Sequence, residues 1–482
     1  MAETSPASRA ETETFVSWRE FLGSSYTAAL ALVCLAVWLH AADSLIVATM
    51  LPSIVDEIGG AGLVGWSVSL YEIASVVAGA ASALLTMRYG LRLPMSLAAL
   101  VFGLGCLLSS FAPTMPVVLT GRVFQGLGGG GLVAMSFVAI GIIFPRRYAA
   151  RAMATVSTFW GVSAFLGPLI GGFFVEYATW RWGFAFFALQ AFGLSVWIAM
   201  RPDHAAPQKV ASSKVPLKRL ALLCLAVLMV SYGGVEIEMV QTTICIALGI
   251  CCLAYFLWRD SRAGHDRLLP ISPFDFRKPT GSALLMIFSL SMATIAVTAF
   301  GPLLVTAIHN ASALTAGYIV ACSSIGWTFA AVLVSGSPER LDRLMIALGM
   351  VLVAISISGF LYAVPNGPVW LIAVFAAMEG AGFGMAWTFI LRRTTALAGP
   401  HEVQRISGAI PTVQRLGYAL GAAYIGIVAN ILGFTAMETA QEAADVARWI
   451  FLACMPFAVL GLLAMTTLVR RHPASLEDRA LR

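Results

Sequence analysis

Charge is what this sequence has least of. Asp, Glu, Lys and Arg make up 11% of its 482 residues, against roughly 25% in an ordinary soluble domain. With 59% of residues hydrophobic, the chain cannot cover a water-facing surface, which excludes a soluble globular protein and indicates a polytopic membrane protein. Catalytic residues are equally sparse. The histidines His40, His204, His265, His309, His401 and His472 are scattered and join no nucleophile–base or metal-ligand pattern, so neither an enzyme nor a metal or other cofactor is expected. Cys34, Cys106, Cys224, Cys245, Cys251, Cys252, Cys322 and Cys454 all fall in apolar runs without a disulfide framework and read as packing residues. GLGGGG at Gly126–Gly131 lacks the GK[ST] ending of a phosphate loop and sits in an apolar span. Transport, if that is the activity, would have to run on an ion or solute gradient. No nucleic-acid-binding pattern is present. The first 25 residues, with ETET and Glu20, have no short apolar core followed by a small-residue cleavage site, so the first membrane helix reads as an uncleaved signal.

What the chain does have is long apolar runs. About 20 such residues cross a bilayer as a helix, and segments of this kind cover 27–52, 63–86, 93–112, 117–142, 152–176 and 181–200. After a basic loop come 219–235 and 240–258, flanking an acidic turn with Glu236 and Glu238. A second basic loop precedes 281–308, 312–335, 343–364, 369–391, 406–432 and 447–469. The total is fourteen, grouped six, two and six. Cytoplasmic loops concentrate Lys and Arg. Placing the N-terminus inside puts Arg88, Arg92, Arg146, Arg147, Arg151, both central basic loops, Arg340, Arg343, Arg392, Arg393, Arg405 and the basic tail on the cytoplasmic side, leaving Arg181 and Arg448 outside with Asp56, Glu57, Glu438, Glu442 and Asp445. Both termini are then cytoplasmic. Two six-helix halves would bind substrate between them near the midplane. This rests on helix count and loop parity, and the central pair is equally compatible with a hairpin beside a twelve-helix body.

The stretch GVSAFLGPLIGG, Gly161 to Gly172, carries Gly161, Ala164, Pro168 and Gly171/Gly172 at spacings of three and four. Small residues on one stripe let a second helix approach closely in lipid, either as a static pair or as a contact about which helices rock. This stretch, with RVFQGLGGG from Arg122, DSLIVATMLP in the first segment and WRWGF at Trp180–Phe184, resembles the major facilitator superfamily and its fourteen-helix drug:proton antiporter branch. Gly161, Gly167, Pro168, Gly171 and Gly172 match the antiporter signature; SALTAGY at Ser312–Tyr318 and QRLGYALGAA at Gln414–Ala423 match more loosely. The resemblance implies secondary transport by alternating access. One departure lies between the second and third segments. There the superfamily usually has a Gly, an Asp and basic residues around a second Gly, and this chain reads ALLTMRYGLR. Arg88, Gly90 and Arg92 match, but Ala83 and Met87 replace the first Gly and the Asp, which implies an inner side that closes differently.

Charged carboxylates at mid-bilayer cost roughly 2.5–3.5 kcal/mol on insertion scales, so Asp43, Glu72 and Glu379, all deep in their segments, need a purpose. Removal from water favours a neutral carboxyl and a nearby cation favours the charged form, so a partner can toggle protonation. Arg122 is the candidate partner of Asp43. Counting from Pro52 and Pro116, both lie roughly 9–14 Å below the outer boundary at 1.5 Å per residue, as a fixed ion pair or as a proton-dependent switch. Gln125, one turn from Arg122, can bond either member. Glu72 and Glu379 would attract a cationic substrate, carry the proton, or sit neutral and hydrogen-bonded. Arg415 is a candidate to pair with Glu379, to read an anion, or to stabilise the bundle. His40, one turn before Asp43, is a further relay candidate. Trp38, Trp66, Tyr71, Trp160, Trp327 and Trp387 can stack on a lipophilic cation or simply pack.

The expectation is an all-α polytopic membrane protein of major facilitator fold with both termini cytoplasmic. Its divisions are a tail over 1–25, a six-helix half over 26–200, basic loops and two extra membrane helices over 201–280, a second six-helix half over 281–470 and a tail over 471–482. It would be a monomer of the inner (plasma) membrane, partnered by lipid, a small molecule and protons. The expected activity is proton-coupled efflux of lipophilic, cationic compounds. Asp43 and Arg122 would couple the proton, and Glu72, Glu379, Gln125, Tyr71 and Trp387 would contact substrate. Gly161, Gly167, Pro168, Gly171, Gly172, Arg88, Gly90 and Arg92 would serve the conformational change, with His40 and Arg415 as further candidates. The alternatives are transport of a specific metabolite, anionic or lipid-like solute, and a non-transporting sensor.

Overall fold

In hydrocarbon a backbone has no water to bond, so every N–H and C=O must be satisfied within its own segment, and apolar runs become helices. In the computed structural model of the chain, which describes residues 18–201, 216–234, 237–264, 267–270, 272–334, 337–397 and 403–470, each apolar run is helical. The order is α1 (Trp18–Leu22), α2 (Thr27–Ile58), α3 (Val64–Tyr89), α4 (Arg92–Ser110), α5 (Met115–Ile143), α6 (Arg146–Tyr177) and α7 (Trp180–Ala199). Then come α8 (Leu217–Tyr232), α9 (Met239–Ser261), α10 (Pro279–Ala299), α11 (Gly301–His309), α12 (Ala313–Val334), α13 (Asp342–Asn366), α14 (Val369–Ala396), α15 (Val403–Ile431) and α16 (Ala440–Arg470). Among the described residues, twelve helices are long and apolar enough to cross a bilayer. The 16-residue α8 and the polar-started α15 are not among them.

Three boundaries differ from the sequence reading. The run 281–308 is two helices, because Pro302 at the start of α11 brings no N–H to continue the ladder across Phe300 and Gly301. The first span does not end at Pro52 but continues to Ile58, stopping at Gly59 with φ 71°. The 1–25 tail is not all loose: α1 buries Phe21 against Tyr148, ring centroids 5.7 Å apart, and Tyr148 Oη donates to Glu20 at 3.2 Å. Glu236 and the far ends of both tails lie outside the described residues.

Helices α2–α7 form one half and α10–α16 the other. Glycines set how near their helices lie. On α5, Gly126 and Gly130 face the backbone of α3 at Tyr71 and Ser75, while Gly128 faces α4 at Ala98 and Phe102, so the GLGGGG run wedges α5 between two helices. The halves meet along two seams. In the first, α3 and α15 run side by side: Ser69 Oγ donates to Ala419 O at 2.8 Å, Asn430 Nδ2 donates to Gly62 O at 2.9 Å, and a Cβ at Gly65 would stand 2.6 Å from Ala422 O. In the second, Thr49 of α2 closes on Gly317 of α12, and Gly161 and Gly172 of α6 face Thr328 and Leu314. These contacts gather toward the α2–α3 turn. At the opposite end, Arg92 bonds Arg201 O at 3.3 Å, Arg393 bonds Leu468 O at 2.8 Å and Arg392 pairs with Asp342, each within its own half. The α8–α9 pair leans on the first seam from outside, taking a bond from Trp66 Nε1 at Ser231 O (3.1 Å) and one from Asn430 at Gly234 O.

Candidate functional site

Asp43 on α2 and Arg122 on α5 are each only 2% exposed, and they form an ion pair. A guanidinium has five donor hydrogens and no acceptor, so burying it requires several partners. Arg122 finds them. Its Nε donates to Ser67 O at 3.3 Å, its Nη1 donates to Gln125 Oε1 at 2.6 Å as well as to Asp43, and its Cζ lies 4.1 Å over the Tyr71 ring. Gln125 spends its amide on Ser109 Oγ at 3.2 Å. Ser67 and Ser109, which the sequence reading passed over, complete this shell, and their signal is position alone, one helix turn from Tyr71 and near the end of α4.

Tyr71 connects this pair to a second one. Its hydroxyl donates to the His40 carbonyl at 3.1 Å and lies 2.7 Å from His40 Nδ1. The other ring nitrogen, His40 Nε2, is 3.0 Å from Arg415 Nη2, and Arg415 Nη1 donates to Glu72 Oε2 at 3.2 Å. Asp43, Arg122, Tyr71, His40, Arg415 and Glu72 therefore form one continuous polar chain. It crosses the α3–α15 seam, because Arg415 alone belongs to the second half. Next along that seam, toward the α2–α3 turn, stands the Ser69–Ala419 bond.

Of the readings open for Arg415, pairing with Glu379 is not the one seen: α15 turns this side chain toward α3, and it meets Glu72. Glu379 on α14 stands apart, 5% exposed, its Oε2 without a hydrogen-bond partner among the described residues. On the same helix, Phe383 and Trp387 pack on Trp327 of α12, centroids 5.8 and 5.5 Å away. Trp387 is half-buried. Tyr71 and Gln125 offer no surface to a solute in this conformation, since both are buried and occupied by Arg122. On α6, Gly167 and Gly171 face Leu45 and Thr49 of α2 at 3.0 and 3.1 Å from an added Cβ, so the small stripe serves both its own half and, through Gly161 and Gly172, the other. Pro168 is buried within that helix. Gly90 turns the chain between α3 and α4 with φ 77°, Arg88 is exposed with its guanidinium 5.3 Å over Tyr89, and the Ala83 and Met87 side chains lie outside the described residues.

Such an arrangement can hold or release a charge. With Asp43 ionised, Arg122 is neutralised in place; with Asp43 protonated, Arg122 loses its counter-ion and the buried shell must rearrange.

The major facilitator superfamily model matches residues 33–337 and 282–482 of the chain. A protein named as a probable multidrug-efflux transporter of Mycobacterium tuberculosis is 30% identical over 477 residues, covering 96% of this chain and 98% of its own. A multidrug efflux pump of Staphylococcus aureus is 24% identical over 81% of this chain and 87% of its own. Among solved structures, an inward-facing bacterial homologue of the human lysosomal transporter Spinster superposes with a TM-score of 0.67 at 16% identity, covering 94% of this chain and all of that one. A D-xylose–proton symporter superposes at 0.61 with 15% identity over 92% and 97%.

Proposed function

The chain belongs to the major facilitator superfamily, in its drug-efflux branch, and we propose that it exports lipophilic cations in exchange for protons by alternating access. The observation that carries the coupling is the buried Asp43–Arg122 pair and its link, through Tyr71 and His40, to a cation of the opposite half. Protonation of Asp43 frees Arg122, and the shell around Tyr71 transmits the change to the seam. Glu379, whose Oε2 has no hydrogen-bond partner among the described residues and which lies one helix turn before Phe383 of the Trp327–Phe383–Trp387 cluster, meets the positive head of the substrate; Glu72 adds negative charge at the seam. Among the described residues, the two arginines of this polar chain, Arg122 and Arg415, are both taken by carboxylates, which disfavours an anionic solute.

The protein spans the plasma membrane as a monomer with fourteen helices, α8 and α9 forming the extra pair and α10 with α11 a single broken span. Its termini face the cytoplasm. The loop charges support that orientation, and it makes the sealed end of the seams the outer one. The halves are 26–200 and 281–470, with 201–280 between them. Sealed proteoliposomes with an internal pH dye and a panel of lipophilic cations test the reading. Cation-triggered proton movement in wild type that Asp43→Asn lacks is the expected result. Folded wild type that moves no protons with any cation contradicts it.

A further inference from the structure

The His40–Arg415 contact contains a chemical constraint that the coupling pair alone does not. A guanidinium can only donate, so His40 Nε2, 3.0 Å from Arg415 Nη2, accepts and carries no proton. The ring hydrogen is then on Nδ1 and is donated to Tyr71 Oη at 2.7 Å, while Tyr71 turns its own hydrogen to the His40 carbonyl at 3.1 Å. All three groups are satisfied in one way only. A proton on Nε2 would oppose N–H to N–H across the seam. His40 belongs to α2 in the first half and Arg415 to α15 in the second, so the bond exists only while the halves are joined at this level.

We propose that His40 is a second proton-carrying residue, and that a proton and Arg415 compete for its Nε2. When the α3–α15 seam parts, Arg415 withdraws with its half and Nε2 is left facing the opened cavity, where it takes a proton from water on the outer side. Glu72 loses Arg415 in the same motion and becomes the counter-ion of the new imidazolium, so one cation replaces another beside the same carboxylate. As the seam recloses, Nε2–H passes its proton to Glu72, its counter-ion, because Arg415 needs the lone pair, and the Glu72 carboxyl gives that proton to water on the inner side once the outer end is shut. One proton thereby enters from outside and leaves inside for each opening. Among the described residues, the ionisable groups gathered around His40 are Asp43 on its own helix, Tyr71 and Glu72 on α3, Arg122 on α5 and Arg415 on α15; α6 meets it with the edge of Trp160 at 6.0 Å. The proposal deepens the proton-coupled reading and rests on it.

The test is the distance between spin labels at Asp56 and Glu438, exposed positions at the sealed end of opposite halves. It uses full-length protein in nanodiscs with the native cysteines replaced. Spectra are taken at about pH 8 and about pH 5.5, either side of the ordinary imidazole range. Acidification of wild type is expected to raise the ratio of open to closed seams roughly tenfold, an ordinary size for coupling between sites. His40→Gln, which offers Arg415 an acceptor but cannot titrate, should stay closed at both pH values. Arg415→Met, which offers Nε2 no donor, should be open at both. A wild-type response in His40→Gln, an Arg415→Met seam that is closed at the higher pH and opens on acidification, or a wild-type seam indifferent to pH overturns the proposal. If His40→Gln does not fold, Arg415→Met decides alone. Cation-driven proton flux in wild type with an unresponsive seam removes His40 from the cycle and leaves antiport standing, whereas absent flux removes antiport itself.

Discussion

Arg122 and Glu379 illustrate opposite ways of keeping a charge-bearing group in hydrocarbon. Arg122 is surrounded by Asp43, Gln125, Ser67 and the Tyr71 face, and removing one side of a buried pair strands the other at about 3–5 kcal/mol. Arg122→Leu should therefore lower the unfolding temperature markedly, and adding Asp43→Leu to it should recover most of the loss, read by thermal unfolding in nanodiscs. Glu379 has an oxygen with no partner among the described residues, so Glu379→Gln should leave stability nearly unchanged and raise the KM for lipophilic cations tenfold or more, about 1.4 kcal/mol. An equal KM in the two proteins, from uptake assays in inverted vesicles, would assign Glu379 a packing role. The Asp43–Arg122 pair was legible because two rare charges stood at matching depths on the first and fourth spans, and Gln125 followed from one helix turn. The partner of Arg415 was not legible. Glu72 and Glu379 look alike in sequence, and only the packing of α15 on α3 separates them.

Helices here are placed by what they omit. On α14, Gly380 meets the Ser323 carbonyl oxygen of α12 so closely that an added methyl would overlap it, and both helices belong to one half. Gly380→Ala should cost about 1–3 kcal/mol, the usual penalty of overpacking, without favouring either orientation. Gly65 on α3 faces Ala422 O of the opposite half, 2.6 Å from a built Cβ. Gly65→Val should instead leave each half intact and hold the sealed end apart, seen as a longer spin-label distance at the sealed end with an unchanged melting temperature. The reverse pattern would mean that the seam is a permanent interface. The Gly161–Gly172 stripe drew attention as the contact between halves, and α6 indeed touches α12 through Gly161 and Gly172, but Gly167 and Gly171 are spent on α2. The matching stripe of the other seam was also in the sequence. Gly62, Gly65, Ser69 and Glu72 recur at three- and four-residue steps and answer Asn430, Ala422, Ala419 and Arg415 in reverse order. No single-helix pattern reveals which stripe answers which. The break after Phe300 was readable from Gly301-Pro302, yet a continuous apolar run masked it.

For the molecule as a whole, the segment pattern was almost fully legible because a bilayer leaves a chain few options: every apolar run had to be a helix. Which helices touch, and at which end the halves are sealed, depends on pairs far apart in sequence and needed three dimensions. In the proposed cycle one polar chain, from Asp43 to Glu72 by way of Arg122, Tyr71, His40 and Arg415, links a proton to the movement of two halves. Its most direct test is proton release on substrate binding. Purified wild type in weakly buffered solution near neutral pH, titrated with a transported lipophilic cation beside a soluble pH indicator, should release protons in proportion to the cation bound. Asp43→Asn should bind the cation and release fewer. Equal release from the two proteins, or binding by wild type with no release at all, would contradict the account.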